Sequence, residues 1–197
     1  MAQKVFVDVG LSLDGYMAGP NNSPTNPLGD DFGPVHAWMF DDEGFVRDGP
    51  GGAILQGAFA RIGANVMGRT MFEEGAPHWG ENTFRGAPVF VLTHRPREPW
   101  VRAGGNVFHF VTEGFESALA RAREAAGGKD VRVSGGADVA RQALQAGVVD
   151  ELTLHIAPVI VGGGIRLFDG VGPGEFGFAQ TAAAEACGVN HVTYQPR

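Results

Sequence analysis

The sequence predicts an α/β fold with a central, largely parallel sheet and flanking helices. Three observations predict it. Runs rich in β-branched residues alternate with stretches of helical periodicity. One run, Pro88-Val89-Phe90-Val91-Leu92-Thr93, is continuously apolar, as a strand buried on both faces is. The 31 glycines among 197 residues are about twice the usual share of ~7%, and they sit in pairs and triplets between apolar segments. That placement suits tight connections and points where the backbone must come close to another group.

The elements follow in order. Lys4 to Leu11 reads as the first strand, ending near the turn pair Asp14-Gly15. From Gly19 to Gly33 the composition shifts to Pro, Asn, Gly and Asp, a loop of the length used for lids and binding loops. A helix is expected over Pro34–Val46, with Pro34 in its first turn and Trp38, Met39 and Phe45 among its apolar residues. Gln56–Ile62 reads as a short helix and Ala64–Met67 as a short strand. Gly68-Arg69-Thr70 then leads into a helical turn over Met71–Glu74. Val107–Val111 is a strand, and Phe115–Ala126 a helix with Ala118, Leu119 and Ala122 at helical spacing. Val131–Val133 is a strand entering Ser134-Gly135-Gly136, and Ala137–Ala146 a helix closed by Gly147. Asp150–Ile156 is a strand, and Gly177–Ala186 with Val189–Gln195 a terminal hairpin. No linker interrupts the pattern, so residues 1–197 are expected to form one domain.

Composition narrows the function. With 15 basic and 22 acidic residues the net charge is −7, against a nucleic-acid or anionic-membrane binder. Phosphate would have to be held by a few placed arginines. One cysteine, Cys187, allows neither an intrachain disulfide nor a cysteine zinc site. No apolar run reaches the ~20 residues of a membrane span, and the N-terminus lacks a signal-peptide pattern. A soluble, cytoplasmic protein is expected. The six histidines (His36, His78, His94, His109, His155, His191) show no metal-ligand spacing and read as structural or exposed, so no metal is expected.

Three strand-to-helix junctions look suited to anions. Gly68-Arg69-Thr70 would place N–H groups, a hydroxyl and a guanidinium at a helix start. Ser134-Gly135-Gly136-Ala137-Asp138 begins another helix, and its glycines would let a pyrophosphate lie against the main chain. Thr93-His94-Arg95 follows the Val89–Leu92 strand. In a parallel sheet these strand ends share one edge, where the groups could converge on one polyphosphate ligand. Familiar competitors fail. The stretch Gly63–Thr70 has P-loop spacing, but Arg69 replaces the lysine and Asn65-Val66-Met67 is strand-like. No Gly-x-Gly-x-x-Gly follows the first strand, and Ser134 lacks the preceding glycine of a nucleophile elbow.

Asp8 is a carboxylate midway along a strand that is otherwise Val5, Val7 and Val9, and it shares its face with Phe6 and Gly10. Burial without a partner would cost several kcal/mol, so it belongs at a pocket or at a sheet edge. In a pocket, desolvation would raise its pKa and suit it to proton delivery. His155, inside Leu152–Ile156, is either a second such candidate or a structural histidine.

Taken together, Ser12-Leu13-Asp14-Gly15-Tyr16-Met17-Ala18, Val66-Met67-Gly68-Arg69-Thr70, Val91-Leu92-Thr93, Ser134-Gly135-Gly136, Val149-Asp150-Glu151-Leu152, Ala157-Pro158-Val159-Ile160-Val161-Gly162-Gly163-Gly164 and Leu167-Phe168 resemble the dihydrofolate-reductase-like superfamily. Within it they resemble most the reductase domain of the bifunctional riboflavin-biosynthesis deaminase–reductase and its stand-alone bacterial relatives. The resemblance covers nearly the whole chain. It implies a three-layer fold with antiparallel C-terminal edge strands, a homodimer, and an NADPH-dependent reductase. By the same resemblance, Arg69 and Thr70, with Gly68, would hold the cofactor's phosphates, and Thr93, His94 and Arg95 its adenosine end with the 2′-phosphate. Ser134, Gly135, Gly136, Ala137 and Asp138 would lie at the pyrophosphate, through a cis peptide as in relatives. Gly10, Met17 and Ala18 would flank the nicotinamide.

Departures bear on the substrate. Riboflavin-pathway enzymes commonly carry a cation after Ser-Leu-Asp-Gly for the substrate's ribose phosphate; Tyr16 stands there. Where dihydrofolate reductases place a proton-donating acid, the chain reads Val35-His36-Ala37-Trp38, and Asp8 or His155 would substitute. The expected reaction is hydride transfer to a small heterocycle, by family default 5-amino-6-(5-phosphoribosylamino)uracil. The alternatives are dihydrofolate or another heterocycle, and a nucleotide-binding module without turnover. The Gly19–Gly33 loop would close over the nicotinamide.

Overall fold

The computed structural model describes residues 2–39 and 48–197. Six strands run parallel in the spatial order β8 (Glu151–Ala157), β1 (Val5–Ser12), β7 (Asp130–Gly135), β3 (Ile62–Gly68), β4 (Val89–Leu92) and β6 (Val107–Val111). Antiparallel strands close both sides. The hairpin β10 (Phe178–Ala186) and β11 (Val189–Pro196) adds to β8, and β5 (Trp100–Val101) adds to β6. A two-stranded sheet pairs β2 (Tyr16–Ala18) with β9 (Ile165–Arg166). The α/β class, the mostly parallel sheet and its antiparallel C-terminal edge agree with the sequence. The strands β2, β5 and β9 are additions, too short for alternation to reveal.

Period-two alternation sorts the strands into two faces. One face carries Val5, Val7, Val9, Val66, Phe90, Val131, Val133, Leu152 and Leu154. It is covered by α4 (Phe115–Ala125) and α5 (Ala137–Gln145) through Ala118, Leu119, Ala122, Ala140 and Ala143. Alanines on these helices let them sit close to β-branched residues. The other face carries the helices α1 (Gly33–His36), α2 (Pro50–Arg61) and α3 (Arg69–Gly75), so the molecule has three layers. This second face is apolar beneath α3, where Phe72 meets Phe108 and Phe110 at 5.4 and 5.1 Å, and in a smaller cluster of Phe32, Val35, Trp38 and Leu55 around α1 and α2. Beneath α2 it is polar: Asp8, Asn65, Arg132, Ser134, His155 and His191 all point there from the central strands and β11.

Two helices differ from expectation. The helix predicted over Pro34–Val46 ends at His36 and gives way to a turn through Met39; its remaining residues, 40–47, lie outside the described part of the chain. The helix predicted over Gln56–Ile62 starts six residues earlier, at Pro50, and stops at Arg61, because Ile62 turns to extended backbone to begin β3. Pro50 fits an N1 position, and Gly51 is needed for packing: a Cβ there would come within 2.9 Å of the Trp38 carbonyl oxygen. At the outer end of the sheet Arg61 lies 4.0 Å above the Phe6 ring and bonds Asp130 at 2.8 Å and Glu151 at 2.7 Å, tying α2 to β7 and β8.

Phe72 anchors α3, the helix that carries Arg69 and Thr70, so it links core packing to the site. Phe72→Ala removes a buried ring from an aromatic cluster and is expected to cost about 3–5 kcal/mol. A thermal melt should show a fall in Tm on the order of 10 °C; an unchanged Tm would mean that α3 is held by its loops instead.

Candidate active site

Because β1, β3, β4, β6 and β7 are parallel, their C-terminal ends lie on one edge, and the loops leaving them border a single cavity of about 1150 Å³. Ordinary small-molecule sites span ~300–1,000 Å³, so this one has room for two ligands side by side. After β3 the wall is Gly68, Arg69 and Thr70; after β4 it is Thr93, His94 and Arg95; after β7 it is Ser134, Gly136, Ala137 and Asp138. Gly10, Met17 and Ala18 line it from the β1–β2 side, and Asp8 and His155 form its floor. The structure therefore brings together the three junctions and both catalytic candidates.

The junctions also touch each other. A Cβ on Gly68 would lie 3.2 Å from Val139 and 3.6 Å from the Gly136 nitrogen, so glycine lets the end of β3 approach the start of α5. The Gly135–Gly136 peptide is cis. Gly136, which lines the cavity, is the N-cap of α5; no side chain caps that helix, and none caps α4, whose N-cap Gly114 also lines the cavity. Uncapped N–H groups beside Arg69, His94 and Arg95 fit the phosphates of a dinucleotide. The residues present thus suit the implied cofactor.

Three details correct the sequence reading. Gly135 is buried, with Met17 and Met71 over it, so Gly136 alone of the pair faces the cavity. Arg69 does not point freely from the helix start: its guanidinium pairs with Glu73 one turn on, because i and i+4 side chains share a helix face. The Gly19–Gly33 loop is not an open flap. It is cross-linked by Asn21 and Asn26 to Asp30 at 2.8 and 2.7 Å, and Glu74 on α3 accepts from Asn22 at 2.8 Å.

Asp8 faces the pocket, not an edge, but the expected rise in its pKa is overturned. Burial does push the group up; the neighbouring Arg132 guanidinium and the His155 ring outweigh it and bring the carboxyl down to about 2. Asp8 Oδ1 lies 3.1 Å from Arg132 Nη2 and 3.3 Å from His155 Nε2. Asp8 is thus a carboxylate at neutral pH and not itself the stored acid. His36, whose ring lies against Gly10, is pushed down to about 4 by burial and by His155, which keeps it neutral. Tyr16 receives a cation after all, since Arg166 from β9 bonds its hydroxyl at 3.0 Å, although that arginine is exposed.

Arg132, His36, Trp38 and His191 escaped assignment to the site. The signal for two of them was the one that exposed Asp8: a charged or polar residue on the inner face of an otherwise valine-rich strand, Val131-Arg132-Val133 and Val189-Asn190-His191-Val192. Asp14, by contrast, organises the loops. Although desolvation opposes it, bonds from Ser12 Oγ and the Gly162 and Val161 amides bring its carboxyl to about 2, which explains Ser-Leu-Asp-Gly and the glycine triplet as one joint.

The RibD C-terminal domain profile matches residues 3–188. The chain belongs to the RibD C-terminal domain family. A Shewanella sp. PV-4 protein assigned to riboflavin biosynthesis superimposes with a TM-score of 0.69 at 22% identity, covering 100% of this chain and 99% of that one. The Thermotoga maritima diaminohydroxyphosphoribosylaminopyrimidine deaminase/5-amino-6-(5-phosphoribosylamino)uracil reductase gives 0.60 at 15%, covering 100% of this chain, which spans only 57% of that one. Enterococcus faecalis dihydrofolate reductase, solved with NADP(H), gives 0.58 at 14%, covering 100% and 99%. The fold is dihydrofolate-reductase-like. No functionally curated protein matches the sequence.

Asp8 and Asp14 both titrate lower in the folded chain than the ordinary value of 3.8. Their contribution is therefore complete above about pH 4 and is lost as pH falls towards 2. The urea midpoint should fall across that window, and Asp14→Asn should flatten part of the fall. A midpoint constant from pH 5 to 2.5 would contradict these assignments.

Proposed function

We propose that the protein is an NADPH-dependent reductase of the riboflavin-pathway type, acting in the cytoplasm on a small heterocycle such as a phosphoribosylaminopyrimidine or a pterin. The observation that carries this reading is the convergence of Gly68–Thr70, Thr93–Arg95 and Ser134–Asp138 on one cavity whose floor holds an ionic cluster. Three junctions from separate strands supply backbone donors and cations along one wall, as an extended diphosphate needs. In an acidic protein, Arg69, His94 and Arg95 account for an extra 2′-phosphate better than for the bare ribose of NADH.

When bound, the cofactor supplies the hydride. The chain's own residues bind, orient and exclude water. Met17, Ala18 and Gly10 form an apolar shelf over the end of β1, and the missing side chain of Gly10 lets the His36 ring sit against the strand beside it. Trp38, Leu55 and Phe59 wall the cavity on the α2 side, next to Asp8 and His155. An aromatic acceptor lying there would have apolar faces on its planes and the ionic cluster at its edge. Arg132 is committed to Asp8, so it fixes the carboxylate and leaves it as an acceptor for a ring N–H.

Binding is tested by thermal shift with NADPH, NADH and ATP. NADPH should stabilise most, and Arg69→Ala and Arg95→Ala should each weaken it several-fold while leaving the melt of the free protein within about 1 °C. Equal shifts for NADH would remove the 2′-phosphate assignment. Oxidation of NADPH with a pyrimidine or pterin from a panel supports the enzyme; binding without oxidation across the panel would favour a nucleotide-binding module.

A further inference from the structure

Behind the cavity floor a chain of polar groups runs through the sheet. His155 on β8 and His191 on β11 face each other in register, and their Nδ1 atoms are 2.6 Å apart. His191 Nε2 lies 3.3 Å from the Ala186 carbonyl oxygen, and His155 Nε2 lies 3.3 Å from Asp8 Oδ1. His155 is 4% exposed and His191 5%, so the link between the two rings is buried. Both terminal groups, a backbone carbonyl and a carboxylate, can only accept.

This fixes a count. Two imidazoles between two acceptors make three links, and each link needs one hydrogen. Neutral imidazoles carry two N–H hydrogens between them; three links need three. The pair of rings must therefore hold one proton more than neutral, whichever ring bears it. The Asp8 carboxylate beside His155 Nε2 favours the extra proton on His155, the ring nearer the negative charge. Then His191 donates from Nε2 to Ala186 and accepts at Nδ1, and His155 donates from both nitrogens.

Resting on the reductase reading above, we propose that His155 is the stored acid of the active site, and that His191 is the positioning residue that fixes its charge and orientation. The charged groups around it agree. Asp8 on β1 stabilises the imidazolium, and Arg132 on β7, with Arg61 of α2 further off, competes for that carboxylate. His36 is neutral, and Glu185 of β10 acts on His191 from the far side. The Trp38 ring packs against both imidazoles at 4.6 Å, a favourable seat for a cation. The Asp8 link is longer than the ~2.7–2.9 Å of a strong charged bond, so the proton is held loosely at the cavity end. The other end stops at a carbonyl, which cannot pass a proton on. Its exit is the cavity, which Asp8 and His155 line and His191 does not.

The step balances. A carbon of a C=N or conjugated C=C bond in the heterocycle accepts the hydride from the dinucleotide, and the adjacent atom takes the proton from His155 Nε2. His155 is left neutral, and the dinucleotide, when bound, would be left oxidised by the loss of its hydride. One of the three links then lacks a hydrogen, and a proton from water entering after product release restores it.

The test starts with the free protein. Long-range 15N–1H NMR of labelled histidines at pH 7 should show His155 with both ring nitrogens protonated and His191 as the Nε2–H tautomer. Two neutral rings would overturn the proposal. His191→Asn, whose amide can still bond His155 Nδ1, should keep the imidazolium; His191→Leu should lose it. With NADPH and whichever panel heterocycle is turned over, kcat should fall as pH rises. His155→Gln should lower it at least about 10²-fold and abolish that limb, and His191→Leu should move the limb to lower pH without changing NADPH affinity. A limb that stays in place in both variants would overturn the role of His155. Failure of the wild type to bind NADPH would instead overturn the reductase reading, and with it the use of the proton, while the hydrogen count in the free protein would stand.

Discussion

Everything at the site depends on the polarity of the central sheet. Six strands point the same way, so each crossover must begin at the same edge, and whatever chemistry the loops carry is gathered there without further instruction. The hydrogen-bond registers of β1 with β8 and of β3 with β7 then set which residues become neighbours: Gly10 beside His155, and Asn65 beside Arg132. Sixty-odd residues separate the first junction from the last in sequence, yet their separation in space is fixed by strand spacing alone. The antiparallel hairpin at the C-terminal side extends the same register and places His191 opposite His155.

The sheet divides its labour by face. The side under α4 and α5 is built from Val, Leu, Ala and Phe and supplies most of the hydrophobic burial. The side under α2 has few of these residues and carries Asp8, Arg132, His155 and His191 instead. Such a face would be costly were it not cross-linked, since each buried polar atom needs a partner. Arg132 and His155 converge on Asp8, and His191 backs His155, so the charged atoms are paired with one another, while Arg132 Nε and Asn65 Nδ2 are buried without a partner among the described residues. The same cross-linking explains why Asp8 stays ionised in a place where burial alone would neutralise it.

Much of this was legible in the chain. Alternation of valines singled out Asp8 as a carboxylate for a pocket or an edge, and the polar residues at three strand ends, glycine-flanked at Gly68 and Gly135-Gly136, marked the junctions. What was not legible is instructive. The start of α2 was hidden because Gly51 and Gly52 lower helix propensity, and only tertiary contact with Trp38 explains why a side chain cannot be there. Gly135 and Gly136 look equivalent in sequence; the structure turns one inward under Met17 and the other to the cavity. Partner choice was invisible too: whether Asp8 is raised or lowered depends on Arg132, 124 residues away, meeting it across one strand pair. Arg69 likewise shows its pairing with Glu73 only once the helix phase is known.

The central claim is that distant loops act as one binding wall. Hydrogen–deuterium exchange of the protein with and without NADPH measures this directly. The account predicts that the dinucleotide slows exchange together in the segments around Gly68–Thr70, Thr93–Arg95 and Gly136–Asp138, with little change in the β10–β11 hairpin. Protection confined to one of those segments, or to none, would contradict it.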